Sequence, residues 1–266
     1  MQLGINIRTG STYCGGWATL LKRLIELKPR YVRTVMPRTA PHGDFALFQQ
    51  IHDALKPVFV LTAKLQPKDG ITHTLEDIAL VIAECKKRGF NFIVESANEF
   101  DNRTDVAKAA PAPCDIRMIY APLEAFTRNL LGLCKRLDVE CLQPSFTREY
   151  APFQGFGYLT ENPILNLHYY DHEARNGYFE KLRKSIEAAP SSRRMATEFG
   201  YLRSEAQPYS MPADVLKWEL DKLKNFSVCI LFELADSTAQ TGFGYCNADG
   251  TPRAGWDGLC KLFTAA

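Results

Sequence analysis

The 266-residue sequence lacks the features that define several common classes of protein. Its net charge is only +2, from 32 basic and 30 acidic side chains, so no electrostatic attraction to nucleic acid or to an anionic membrane is expected. It has no run of about 20 apolar residues, so no membrane-spanning helix is predicted. None of its eight cysteines forms a Cys-x-x-Cys pair, and no Gly-x-Gly-x-x-Gly follows the first predicted strand. Neither a cysteine-based zinc site nor a dinucleotide-binding sheet is indicated, and we expect no metal and no cofactor.

The amino terminus shows no signal-peptide pattern, because strand-like sequence begins at Leu3. We expect a cytoplasmic protein as the sequence is written, or a secreted one if a leader has been removed. No Gly/Ser linker, charged block or Pro-rich tract divides the chain, and 46% of its residues are hydrophobic, enough for one large core. The prediction is a single catalytic domain over residues 1–266, acting as a monomer.

Apolar runs rich in β-branched and aromatic residues alternate with segments of helical periodicity. Alternation of this kind predicts parallel strands joined by crossover helices. Eight such units in this length predict an α/β fold, the (β/α)8 TIM barrel, with an open doubly wound sheet as the competing architecture. The predicted strands are 3–7, 31–36, 58–63, 92–97, 139–143, 164–169, 195–198 and 228–234. The predicted helices are 18–27, 45–55, 75–87, 120–136, 178–188, 213–223 and 256–263, with a weak helix or loop at 150–163.

Two glutamates, Glu99 and Glu198, follow or end the fourth and seventh predicted strands. In a TIM barrel the active site lies where the strands end, so the fold would bring these carboxyl groups together. Two carboxyl groups facing one bond, one as acid and one as nucleophile, are what cleavage of a glycosidic bond requires. A lone glutamate at a strand end is ordinarily a surface or ion-paired residue, so the prediction depends on the whole pattern.

Other polar residues at strand ends fit this chemistry. A nucleophilic Glu198 must stay ionised, and the guanidinium of Arg33 and the hydroxyl of Tyr170 are expected to hold it in that state. An acidic Glu99 beside an anionic Glu198 would have its pKa raised. Asn98 is a neutral donor suited to a sugar hydroxyl next to the reacting carbon.

Simpler interpretations of the same residues stay open. Arg33 would also be explained by an ion pair with Glu95, which we expect to be a buried structural partner. His168 alone would be interpreted as a core histidine with satisfied hydrogen bonds. Glu233 fits a structural ion pair as well as a substrate contact.

Together these segments resemble the clan A glycoside hydrolases, which are retaining enzymes on an eight-fold barrel. The resemblance covers nearly the whole chain in order and spacing. Its motifs are Arg33 on the second strand, Asn98-Glu99 on the fourth, His168-Tyr169-Tyr170 on the sixth, Thr197-Glu198-Phe199-Gly200 on the seventh, and Phe232-Glu233-Leu234-Ala235-Asp236 followed by residues 243–253.

The resemblance implies that Glu198 is the nucleophile and Glu99 the acid/base, with carboxyl groups about 5–5.5 Å apart. It also implies that Arg33, Asn98, His168 and Tyr170 bind the substrate or the nucleophile. Many members carry a tryptophan platform on the eighth strand, where this sequence has Phe232, a smaller face without an N–H donor.

The expected partner is an oligo- or polysaccharide. Loops after the strands are expected to be mostly short and to leave an open groove, in which Trp17 and Tyr201 would stack on sugars. The predicted activity is therefore internal cleavage of a β-linked polymer similar to β-glucan.

Two alternatives belong to other functional classes. Glu99, His168 and Glu198 would also suit Mn²⁺ or Mg²⁺ in a sugar isomerase or epimerase on the same barrel. A barrel that binds carbohydrate without turning it over is the third hypothesis.

Overall fold

The computed structural model describes residues 1–8, 16–37, 43–63, 65–66, 70–71, 73–99, 116–145, 164–170, 178–189, 191, 193–200, 216–217, 220–236 and 244–266. Its strands are β1 (Gln2–Asn6), β2 (Tyr31–Val35), β3 (Val58–Thr62), β4 (Leu65–Gln66), β5 (Gly70–Ile71), β6 (Asn91–Glu95), β7 (Cys141–Leu142), β8 (Leu165–Tyr170), β9 (Arg194–Gly200) and β10 (Val228–Leu231). Its helices are α1 (Gly16–Leu27), α2 (Gly43–Leu55), α3 (Leu75–Lys87), α4 (Ile116–Arg136), α5 (Tyr178–Ala188) and α6 (Trp256–Ala265).

Eight parallel strands form one sheet in the order β7, β6, β3, β2, β1, β10, β9, β8. The two ends of this order meet, because Leu142 of β7 forms a parallel bridge with Ile164, the residue before β8. The amide of Gln143 also donates to the Ile164 carbonyl at 3.0 Å. The sheet is therefore closed, and the predicted (β/α)8 TIM barrel is confirmed over the open doubly wound sheet.

The barrel strands are buried on both faces, which explains why they appear in the sequence as continuous apolar runs. Side chains that alternate outward pack against the helices and form the larger hydrophobic cluster. A smaller cluster fills the amino-terminal half of the barrel interior and consists of Val60, Ile93, Leu142, Ile164, Met195, Val228 and Ile230. Polar side chains occupy the interior towards the carboxyl ends of the strands. The barrel interior is therefore apolar in its amino-terminal half and polar in its carboxyl-terminal half, which we call the polar mouth.

The start of α3 follows from its sequence. Thr74 caps α3, because its hydroxyl accepts from the Asp77 amide while the Asp77 carboxylate accepts from the Thr74 amide. Within the described helices, none is long and apolar enough to cross a membrane.

Several predicted boundaries need correction. The fifth and eighth strands are shorter than 139–143 and 228–234, and the hairpin of β4 and β5 was not predicted. Residues 216–217 and 220–221 are helical within the predicted helix 213–223, whereas 150–163 lies outside the described residues. Residues 100–115 and 146–163, which follow β6 and β7, lie outside the described residues, so the expectation of short loops stays a prediction there.

Candidate active site

The polar mouth of the barrel is built from side chains towards the carboxyl ends of the strands, where the two-residue period of a regular strand turns alternate side chains inward. Although charged or polar, these side chains are almost completely excluded from solvent, and buried polar groups need partners. The members are Asn6 of β1, Arg33 of β2, Thr62 of β3, Glu95 of β6, Asn166 and His168 of β8, and Thr197 and Glu198 of β9.

Arg33 stands at the centre of this network. Burial lowers the pKa of its guanidinium, but the carboxylates of Glu95 and Glu198 outweigh burial and raise it above its ordinary value. Both interpretations of Arg33 from the sequence therefore describe contacts that the structure contains. Its nitrogens reach Glu95 Oε2 at 2.6 Å, Asn6 Oδ1 at 2.9 Å, Glu198 Oε1 at 2.5 Å and Asn98 Oδ1 at 2.8 Å.

Glu95 is fully buried and is surrounded by donors. Burial raises the pKa of its carboxyl group, but the charge of Arg33 and the hydrogen bond with His168 hold it well below its usual range. Glu95 is therefore a permanent carboxylate that anchors Arg33, as the sequence predicted. The other donors to its oxygens are Thr62 Oγ1 at 2.5 Å, Asn166 Nδ2 at 2.7 Å and Thr197 Oγ1 at 2.9 Å.

Glu198 is 7% exposed, and both of its carboxylate oxygens accept hydrogen bonds. Arg33 donates to Oε1 and the hydroxyl of Tyr170 donates to Oε2. Burial, followed by the charge of Glu198, raises the pKa of Tyr170 well above its ordinary value, so the phenol keeps its proton. The two residues expected to hold Glu198 both contact it.

A β-bulge in β9 puts Glu198 into the barrel. Leu167 of β8 pairs with Ala196, but the next residue, His168, pairs with Glu198, so β9 contains one additional residue. The pairing with β10 shifts over the same stretch of β9. Because of the extra residue, Thr197 and Glu198 both contribute to the interior network, which strict alternation would forbid.

Glu99 lies opposite Glu198 and is partly exposed, with 22% of its side-chain surface accessible. One carboxylate oxygen of Glu99, one of Glu198 and a ring nitrogen of His168 all lie within 4.8 Å of one another. His168 Nδ1 is 3.4 Å from Glu99 Oε1 and 3.3 Å from Glu198 Oε2. The fold thus brings together two glutamates that are far apart in sequence.

His168 is a charged member of this group. Burial lowers the pKa of its imidazole, but the charge of Glu198 and the hydrogen bonds with Glu95 and Glu99 raise it to about 9, against the opposing charge of Arg33. The ring is therefore protonated at neutral pH and lies between carboxylates. This differs from a neutral core histidine with satisfied hydrogen bonds.

The rim beside Glu198 is formed by residues next to β1 and β10. Phe232 packs edge-on against Tyr170, with ring centroids 6.1 Å apart, and the Arg8 guanidinium lies 5.8 Å from the Phe232 centroid. Arg8 Nε donates to Glu233 Oε2 at 2.7 Å, so Glu233 forms an ion pair. Burial raises the pKa of Glu233 to about 7, although Arg8 opposes the shift.

The two other aromatic predictions have different outcomes. Trp17 lies in the first turn of α1, where it is partly buried and packs against the hydrophobic core. Tyr201 lies outside the described residues. Sugar stacking by Phe232, Trp17 and Tyr201 stays a prediction.

The donor atoms of Glu99, His168 and Glu198 are close enough to hold a divalent cation. A histidine ligand must be neutral, so a bound cation would have to displace the imidazole proton that the neighbouring carboxylates favour. The guanidinium of Arg33 already neutralises Glu198 at 2.5 Å.

Sequence reasoning missed the hydrogen-bonding residues behind the charged ones. They are ordinary polar residues on strands, and nothing in their neighbours along the chain distinguishes them. They are Asn6, Thr62, Asn166 and Thr197 within the network, and Ser145 behind Glu99. An inward position near the end of a strand was the available signal for Asn6, Thr62 and Asn166. Thr197 reaches the interior beside Glu198 only through the bulge in β9, and Ser145 follows β7.

No protein-family model matches the sequence, and no curated protein matches it. Solved structures do match. A β-glucuronidase from Faecalibacterium prausnitzii has a TM-score of 0.64 at 14% identity, covering 98% of this chain and 48% of its own. Bacteroides uniformis β-glucuronidase 2, covalently bound to cyclophellitol-6-carboxylate aziridine, has a TM-score of 0.72 at 13% identity and coverages of 98% and 35%. Saccharomyces cerevisiae Gas2p in complex with laminaritriose and laminaritetraose has a TM-score of 0.61 at 13% identity and coverages of 99% and 64%.

The chain spans 48%, 35% and 64% of the length of these three proteins. At such low identity the likeness establishes a shared barrel fold. The resemblance to glycoside hydrolases on a (β/α)8 barrel is therefore confirmed at the level of the fold.

Proposed function

We propose that this protein is a retaining glycoside hydrolase that acts on β-linked glycans. The observation that carries the proposal is the approach of Glu99 and Glu198, because one carboxylate oxygen of each lies within 4.8 Å of the other. Retaining enzymes place their two carboxyl groups about 5–5.5 Å apart, whereas inverting enzymes separate them by about 6.5–9.5 Å to admit a water.

In the first step Glu198 attacks the anomeric carbon and forms a covalent ester with the sugar. The bond from that carbon to the leaving oxygen breaks, and Glu99 gives its proton to the leaving oxygen. In the second step water attacks the same carbon, Glu99 takes a proton from the water, and the ester bond to Glu198 breaks. Two inversions at one carbon give net retention.

The surrounding residues have distinct roles in this scheme. Arg33 and Tyr170 hold the two oxygens of Glu198 and thereby fix the direction of its attack. Protonated His168 stabilises negative charge on whichever glutamate carries it, because Nδ1 is almost equally distant from both. Asn98, held by Arg33, is the donor for a sugar hydroxyl next to the reacting carbon.

The substrate class that we propose is a β-glucan-like polymer, cleaved internally. Gas2p, one of the similar structures, holds laminari-oligosaccharides. The β-glucuronidases suggest β-glucuronides as the comparison substrates. Internal cleavage is tested by the lengths of the products.

The test uses Glu198→Ala, Glu99→Ala and the variant Glu84→Ala as a matched control, since Glu84 pairs with Lys87 and Arg88 at the end of its own helix. Each protein is assayed on β-glucans, mannans, xylans, aryl β-glycosides and aryl β-glucuronides, with and without EDTA. We expect cleavage by wild type and Glu84→Ala that survives EDTA and is abolished by Glu198→Ala. Azide should restore turnover to Glu198→Ala and give a glycosyl azide of inverted configuration.

Three results would refute the proposal. Undiminished activity of Glu198→Ala would exclude it as nucleophile. Interconversion of free sugars that EDTA abolishes, with no glycan cleaved, would favour the metal-dependent isomerase. Binding of glycans without turnover of any substrate would favour a non-catalytic barrel.

A further inference from the structure

Ser145 connects the ends of two neighbouring barrel strands behind the acid/base position. It lies shortly after β7 and is completely buried. Its hydroxyl oxygen accepts a hydrogen bond from the Glu99 amide at 2.8 Å. Its own hydroxyl and amide both donate to the Ala97 carbonyl, at 3.3 Å and 3.0 Å. One serine therefore holds the chain on both sides of Asn98.

The backbone at Glu99 needs such support. Its φ is 47°, in the left-handed region that non-glycine residues adopt only at a cost. Glu99 instead follows a strand, and its amide partner is a side chain from the next strand. The other non-glycine residues with positive φ in the described ranges follow helices, where this conformation is a common ending: Lys28, Lys56 and Asp138.

The geometry links this backbone to the carboxyl group. The amide and the side chain of Glu99 leave the same Cα atom, so rotation of the peptide moves the carboxyl group away from His168 and Glu198. A reacting group displaced by about 1 Å can lose about a hundredfold in rate.

We propose that Ser145 is a positioning residue that sets the orientation of the Glu99 carboxyl group for proton transfer. This inference rests on the proposed function, because it gives Ser145 a role only if Glu99 is the acid/base. Ser145 acts through the Glu99 backbone.

The test exploits the leaving group. Departure of a poor leaving group depends strongly on proton donation, whereas departure of a good one depends on it little. A misplaced acid therefore lowers kcat/KM much more on the substrate with the poor leaving group. The substrates are 4-methylphenyl and 2,4-dinitrophenyl β-glycosides of the sugar that wild type cleaves, or of its oligosaccharides. The variants are Ser145→Ala, Glu99→Ala as reference and Ser96→Ala as matched control.

Ser96→Ala is a suitable control because it also removes a buried serine hydroxyl near the end of β6. The Ser96 hydroxyl has no hydrogen-bond partner among the described residues. We expect Ser96→Ala to resemble wild type on both substrates. For Ser145→Ala we expect kcat/KM to fall about tenfold to a hundredfold on the methylphenyl glycoside and less than about threefold on the dinitrophenyl glycoside.

A second readout separates positioning from general damage. Azide needs no general base, so it should raise kcat of Ser145→Ala on the dinitrophenyl glycoside and give a glycosyl azide of retained configuration. Glu99→Ala should show the same pattern, with a larger loss of kcat/KM on the methylphenyl glycoside and a larger rise of kcat with azide. If Ser145→Ala does not fold, as judged by circular dichroism, Ser145→Cys takes the same assays, since its thiol is a weaker acceptor at the same position.

Equal losses on both substrates, or no loss on either, would overturn the role of Ser145 while leaving the retaining mechanism intact. Failure of the proposed function looks different. In that case wild type cleaves neither substrate, or Glu198→Ala stays active, and the inference about Ser145 falls with it.

Discussion

Raising the pH from 6 to 8 is expected to destabilise the folded chain through His168. Folding raises the pKa of its imidazole from 6.5 to about 9, because nearby carboxylates outweigh the effect of burial. A group whose pKa is higher in the folded state stabilises that state fully below its unfolded pKa, and this contribution disappears as pH rises through the folded pKa. The relevant window is therefore pH 6.5 to about 9.

The magnitude follows from the pKa difference. At about 1.36 kcal/mol per pKa unit, protonated His168 contributes about 3 kcal/mol to the free energy of unfolding below pH 6.5. Integration of the proton linkage gives a loss of about 2 kcal/mol between pH 6 and pH 8. His168 is completely buried, so solvent screening does not reduce this contribution.

Urea unfolding at pH 6, 7 and 8 measures the effect, with His168→Gln as the comparison. The upper limit of pH 8 avoids ionisation of cysteine thiols in the unfolded chain, which begins near their ordinary pKa of about 8.5. We expect the free energy of unfolding to fall with pH in both proteins, because folding also raises the pKa of Glu233 to about 7 and its ionisation adds to the loss. The fall should be about 2 kcal/mol larger in wild type than in His168→Gln, which lacks the imidazole. A flat profile in wild type, or equal slopes in the two proteins, would refute the assignment of a charged imidazole.

Three further perturbations test the same network. Glu95→Gln should lower the free energy of unfolding by about 3–5 kcal/mol, because an amide cannot replace a buried carboxylate that only accepts hydrogen bonds. A loss under about 1 kcal/mol in urea unfolding would contradict this. Tyr170→Phe removes one donor to the charged Glu198 and should lower kcat/KM about tenfold to a hundredfold, whereas an unchanged value would show that the hydrogen bond has no catalytic role. Gly200→Ala would place a Cβ 2.7 Å from Tyr170 Cε1 and should lower kcat/KM by a comparable factor. Gly132→Ala is the control, because its Cβ would meet its nearest atom at 3.6 Å, and it should retain activity in the same assay.

The secondary structure was largely predictable from the sequence because barrel strands and amphipathic helices carry different periodicities. The helix predicted at 75–87 is Leu75–Lys87, and that at 178–188 is Tyr178–Ala188. Strands β2 and β3 end within one residue of their predicted limits. Short strands such as β7 were overextended, since two paired residues carry little periodic signal.

The positions of these charged and polar site residues were also predictable, because in a barrel the active site lies at the strand ends, which the chain order identifies. Glu99, Glu198, Arg33, Asn98, His168 and Tyr170 all lie at the mouth of the barrel. The roles proposed for them follow from the residue types.

The tertiary structure alone decided how these groups meet. Closure of the sheet places Arg33 between Glu95 and Glu198, so one guanidinium binds both carboxylates. It also surrounds His168 with carboxylates, which raise the pKa of its imidazole. The bulge in β9 and the left-handed backbone at Glu99 are local departures from regular geometry that contacts from other strands stabilise. Periodicity along the chain encodes regular elements, but distances between strands arise only when the barrel closes and side chains from different strands share the same space.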